Sequence, residues 1–77
     1  MNKPRRNKIA EIVSRLEAIR ADLDNIREDE QYYLYSVPEN LQNSERYQRS
    51  EEAVSDMENV DSSLEDIIDQ LNDIIEQ

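Results

Sequence analysis

Cysteine, histidine and glycine are all missing from these 77 residues, as are tryptophan and phenylalanine. Without cysteine there is no disulfide framework. Without histidine as well, thiolate and imidazole metal sites are excluded, and so are the nucleophile–base pairs built on those side chains. Without glycine there is no loop of the kind that cradles a phosphate. Hydrophobic residues make up 36 % of the chain and charged residues another 36 %. In an aperiodic chain that balance would indicate disorder. Here the apolar residues recur with a fixed period and helix formers dominate, so the expectation is a folded helical domain. A chain of this length makes one domain with a thin core. With neither disulfide nor metal available, oligomerisation is the staple left to it. The basic start M-N-K-P-R-R-N-K precedes no apolar run, so neither a secretory signal nor a membrane span is expected. The expected location is the cytoplasm of a bacterial cell.

What is present reads as two helices. From Ile9 the apolar residues fall at Ile9, Ile12, Leu16, Ile19, Leu23 and Ile26. Spacings that alternate three and four make a coiled-coil seam, with Ile9, Leu16, Leu23 and Glu30 in one column and Ile12, Ile19, Ile26 and Tyr33 in the other. Val13 widens this stripe only once. The first helix is placed at about residues 4–34, with Pro4 in its first turn. The second, at about 44–76, has three apolar columns. They are Met57, Leu64 and Leu71; Ala53, Val60, Ile67 and Ile74; and Val54, Ile68 and Ile75, the last broken by Asp61. One narrow partner cannot cover so broad a face, which predicts that the second helix touches the first and also a second chain.

Residues 35–43 form the turn. Pro38 forces Val37 into an extended conformation, which ends the first helix. Ser36 with Glu39 fits a capping box over a short helical turn at P-E-N-L. Asn43 suits a left-handed position, and Ser44 suits the N-cap of the second helix, with Glu45 in its first turn. Two helices of about 30 residues joined by a short connection predict an antiparallel hairpin. The fold class is therefore all-α, an antiparallel two-helix hairpin that dimerises into a four-helix bundle. All four tyrosines lie at the turn end. Tyr33 is expected on the seam, closed over by Leu34, Leu41 and Tyr47. Tyr32 and Tyr35 fall off the seam and are candidates for a binding patch.

The charge is divided unevenly. Residues 1–49 hold all nine Lys and Arg and nine acids, whereas residues 50–77 hold ten acids and no base. The net charge of −10 therefore belongs to residues 50–77, the greater part of the second helix. Its acids oppose the helix macrodipole. The basic start of helix 1 is expected beside Asp69, Asp73 and Glu76 as partial compensation. Most of the acid stays unpaired, which points either to solubility or to recognition of a basic surface. The density is about one charge per 4 Å of helix, against about one per 1.7 Å in duplex DNA. The candidate partner-binding residues are Glu51, Glu58, Glu65, Asp66, Asp69 and Asp73, together with Tyr32 and Tyr35.

Catalysis finds no support. Adjacent acids such as Glu51 and Glu52 point to different faces. Glu58, Glu65 and Asp69 share an outer face suited only to loose cation binding, and no loop clusters oxygen ligands. Neither an enzyme nor a cofactor or small-molecule site is expected. Helix 1 offers Arg15, Arg20 and Arg27, but acids lie among them and the net field is negative, which argues against direct nucleic-acid binding.

The stretch V-P-E-N-L-Q-N-S-E-R-Y, followed by the acidic heptads, resembles small, mostly uncharacterised proteins of phages and mobile elements of Gram-positive bacteria. These carry a similar P-E-N-L-Q-x-S-E-R-Y turn, often with Gly where this chain has Asn43. The resemblance covers about the second half of the chain. It implies a small cytoplasmic phage or bacterial protein and carries no site residues. By analogy of class with small acidic phage inhibitors of host defence, including anti-CRISPR and anti-restriction proteins, the expected function is protein binding. On this reading the acidic second helix engages a basic partner surface that otherwise holds nucleic acid. The rival reading is a structural or oligomerisation hairpin whose acid serves solubility.

Overall fold

A computed structural model describes all 77 residues. Helix α1 spans Lys3–Ser36 and α2 spans Glu45–Glu76, with a single 3-10 turn at Glu39–Leu41 between them. The two helices pack against each other as an antiparallel hairpin measuring 60 × 15 × 13 Å.

The ends follow local chemistry. The Asn2 side chain accepts a hydrogen bond from the Arg5 N–H at 3.0 Å, and Pro4 needs no partner in the first turn. The Ser44 hydroxyl accepts from the Tyr47 N–H at 3.2 Å, as expected of an N-cap. Val37 is extended, at φ −74° and ψ 127°, as the residue before a proline should be. Two expectations for the turn are corrected. Ser36 does not cap the 3-10 turn. It ends α1 instead, its hydroxyl donating to the Tyr33 carbonyl at 2.8 Å. The constraint from Pro38 is met by Val37 alone, so the helix runs on to the residue before it. Asn43 does not adopt a left-handed conformation, because no residue of the chain has positive φ. The 3-10 turn reverses the chain with right-handed geometry, and the Ser44 N–H closes it on the Leu41 carbonyl at 3.1 Å.

The seam itself is also a correction. Ile9, Leu16, Leu23 and Glu30 are half-buried, as expected of one column. Their companions are not the isoleucines of the second predicted column. They are Arg6, Val13, Arg20, Arg27 and Leu34, each buried or half-buried. Ile12, Ile19 and Ile26 stay 44, 51 and 58 % exposed. On α2 the covered columns are Ser50, Met57, Leu64 and Leu71, and Tyr47, Val54, Asp61, Ile68 and Ile75. The third column remains open, with Val60 at 49 % and Ile67 at 45 % exposure. The core is as thin as the length implies. Val13, Leu34, Val54 and Ile68 are its only buried apolar residues, and no side chain is fully enclosed.

Three substitutions test this layout by urea unfolding. Ile68→Ala should cost about 2–4 kcal/mol, as expected of a buried aliphatic side chain. Ser44→Ala should cost about 1 kcal/mol through the lost cap. Asn43→Gly should destabilise, by up to about 1 kcal/mol, because the residue needs no left-handed freedom and glycine only adds entropy to the unfolded chain.

Candidate interaction surfaces

The seam has a polar centre. Arg20 Nε lies 2.8 Å from Asp61 Oδ1, and a second Arg20 nitrogen lies 3.0 Å from Asp61 Oδ2. This two-point fork is the strong form of an Arg–carboxylate pair. It fills the gap that Asp61 makes in its apolar column, and Glu65 adds a weaker contact at 3.7 Å. The Arg20 hydrogen bond holds the Asp61 carboxyl below its ordinary range, and the same bond raises the Arg20 guanidinium. Toward the turn, Arg27 lies along the seam with its Nε 3.0 Å from Asp24, whose hydrogen bond raises its pKa. Farther along, the Ser50 hydroxyl donates to Glu30, so the buried serine and the half-buried carboxylate satisfy each other. Arg20 and Arg27 are thus seam residues and not a free basic face. A charged residue in an otherwise apolar column, Asp61, was the sequence signal for this pairing, since its column needs an opposing base.

Two distinct sides follow from the seam. In an antiparallel pair, columns displaced from the buried ones in the same sense fall on the same side of the hairpin. Ile12, Ile19 and Ile26 each precede a seam residue by one, as do Ala53, Val60, Ile67 and Ile74. Both sets therefore line one side as a continuous apolar strip. The opposite side carries Glu17 and Asp24 from α1 and Glu51, Glu58 and Glu65 from α2. A cleft lined by Leu23, Asp24, Arg27, Met57, Glu58 and Asp61 joins the two helices there.

The predicted site residues distribute over this frame. Glu51, Glu58 and Glu65 form one exposed column on the acidic side. Asp69 extends the acid around α2, and Asp66 and Asp73 lie on its back, all exposed. None lies on the apolar strip. The expected compensation at the far end is absent. Lys3, Arg5, Arg6 and Lys8 form no ion pair with Asp69, Asp73 or Glu76. Arg6 is drawn into the seam column instead, where its Nε is buried without a partner. Tyr32 and Tyr35 are exposed and share a shallow concavity with Arg27, Glu28 and Gln31. Tyr33 is half-buried with the Arg46 guanidinium 5.3 Å over its ring, a cation–π contact. Leu34 is buried beneath the turn, and Leu41, though 51 % exposed, lines one concavity with Tyr33 and Arg46. No three carboxylates converge closely enough to hold a metal ion, and no helix is long and apolar enough to cross a membrane.

Compared with protein-family models, with curated proteins and with solved structures, the chain matches none.

The Arg20–Asp61 pair makes stability depend on pH. The folded-state pKa of Asp61 is depressed, so its contribution is complete above the unfolded value of about 3.9. It is lost as pH falls through the lower folded value. Asp61→Asn should lower the melting temperature at neutral pH. The difference from the parent chain should narrow on acidification below about pH 4, as followed by circular dichroism melts.

Proposed function

We propose that this chain is a non-enzymatic, protein-binding hairpin. It pairs with a second copy through its apolar strip to form a four-helix bundle and offers the acidic surface of α2 to a basic partner. The observation that carries this reading is the segregation on α2. The apolar column from Ala53 to Ile74 faces one way, while Glu51, Glu58, Glu65, Asp66, Asp69 and Asp73 face elsewhere and stay exposed. Solubility alone asks only for scattered charge of either sign. A helix with ten acids over residues 50–77 and no base carries like-charge repulsion, and a basic partner relieves it. Side-by-side acidic helices of a dimer approach the charge density of a duplex. The favoured partner is therefore a protein surface that otherwise holds nucleic acid. The likeness of the turn to phage and mobile-element proteins favours a host defence nuclease, which makes the chain an anti-CRISPR or anti-restriction decoy. Tyr32 and Tyr35 supply exposed aromatic area off the apolar strip.

Capture on immobilised protein, followed by a salt gradient, tests the reading. A basic nucleic-acid-binding protein should elute as ionic strength rises, because screening weakens such contacts. Replacing Glu58 and Glu65 by Gln, and Asp69 and Asp73 by Asn, should weaken that binding by about tenfold or more while helicity is kept. Retention of the partner by the neutralised variant, or elution that ignores salt, would contradict the proposal.

A further inference from the structure

The column beside the apolar strip of α1 selects what covers the strip. Lys8, Arg15, Asp22 and Asp29 stand at seven-residue intervals, one turn from Ile12, Ile19 and Ile26 on the side away from the seam. All four are exposed, and none takes part in an ion pair within the chain. Their order along the helix is two bases and then two acids. A second α1 laid antiparallel across the strip meets this order reversed. Lys8 then faces the partner's Asp29, and Arg15 faces the partner's Asp22. In the same register Ile12 meets the partner's Ile26, and Ile19 meets its own counterpart. The charged column is centred between Ala18 and Ile19 and the isoleucine column on Ile19, so a single register serves both to within half a residue.

We infer that the strip is covered by a second copy of this chain, with the two α1 helices antiparallel about a two-fold axis at Ile19 and the two turns at opposite ends of the bundle. The inference rests on the self-association proposed above and specifies its geometry. The other face-to-face arrangement, with turns at the same end, lays α1 over the partner's α2. Taking the level of Arg20 as that of Asp61, it sets Lys8 and Arg15 against uncharged Gln70 and Ser63 and brings Asp22 toward Asp56. Only Asp29 then finds a base, Arg49. In the opposite-end arrangement α2 stacks on the partner's α2 with Ser63 near the axis. Asp56 is the single acid bordering the strip there, since the other acids lie on the remaining faces of α2. Electrostatic complementarity of this kind sets register and orientation, while the aliphatic strip supplies the burial.

The surface balance agrees. The chain exposes 5979 Å², whereas a compact monomer of its 9.1 kDa mass exposes about 4,900 Å². The excess is comparable to the roughly 800 Å² that each partner contributes to a standard interface.

A spin label at Tyr35→Cys tests the geometry. The site is exposed, lies off the strip and, in a chain without cysteine, is the sole point of attachment. Tyr35 is 16 residues from Ile19, so opposite-end turns predict a label separation of about 45–50 Å by pulsed dipolar spectroscopy. Same-end turns predict less than about 25 Å, since neighbouring helices lie about 10 Å apart. In parallel, Lys8→Glu with Arg15→Glu should weaken self-association about tenfold or more, and adding Asp22→Lys with Asp29→Lys should restore it. The long distance and the rescue support the inference. A short distance, or failed rescue in a dimer of normal helicity, overturns this register and leaves self-association standing. Absence of dipolar coupling, together with a single-chain mass, overturns both.

Discussion

Two packed helices share one seam, and each presents about two columns of side chains to it. Each helix of this chain has more apolar columns than the seam can hold. On α1 the isoleucines at 12, 19 and 26 lie outside it, and on α2 so do Val60 and Ile67. The excess is not scattered. It falls on one side of the hairpin because both displaced columns precede the seam in the same sense. The hairpin, which has no disulfide and only a thin core, therefore leaves apolar surface uncovered. Its radius of gyration of 17.6 Å exceeds the roughly 11–12 Å of a compact domain of this length. The surface that would close it is already apolar.

Inside the seam, polarity serves register. Arg20 and Asp61 meet near the middle of both helices, and Glu30 meets Ser50 within the last two turns of α1. Sliding one helix past the other would leave these groups half-buried and unpaired, a penalty that aliphatic contacts alone do not impose. Apart from Asp61, the acid of α2 stays exposed outside the two seam columns and the strip. A helix with one covered face, one apolar face and the rest acidic has little freedom in how it meets a partner. Self-association through the strip and recognition of a basic surface would therefore use different faces of α2.

The two helices, the break before Pro38, the Ser44 cap and the broad face of α2 were legible in the sequence, because each depends on residues within one or two turns of each other. Harder to read was which edge of α1's stripe meets α2. Ile9, Leu16 and Leu23 are flanked by isoleucines on one side and by Val13 and Leu34 among arginines on the other, and both choices satisfy the heptad spacing. Hydropathy favoured the isoleucines. The structure takes the arginine edge because Asp61 on the opposing helix offers Arg20 a partner there. An arginine also packs its methylene stem while its head pairs. Asn43 failed for a related reason. A preference for left-handed geometry is a tolerance, and a 3-10 turn closed by its own hydrogen bonds does not call on it. Of the candidate interaction residues, exposure and sidedness were readable from spacing alone. Of the apolar strip, the α2 half was visible as a column too many for one partner, whereas the α1 half was assigned to the seam.

Sedimentation equilibrium across a range of protein concentrations, in low salt and in about 1 M salt, tests the central claim most directly. The account predicts a mass of twice one chain at micromolar concentration in both, because the strip is aliphatic and screening at that ionic strength leaves its burial intact. A single-chain mass under both conditions would contradict it.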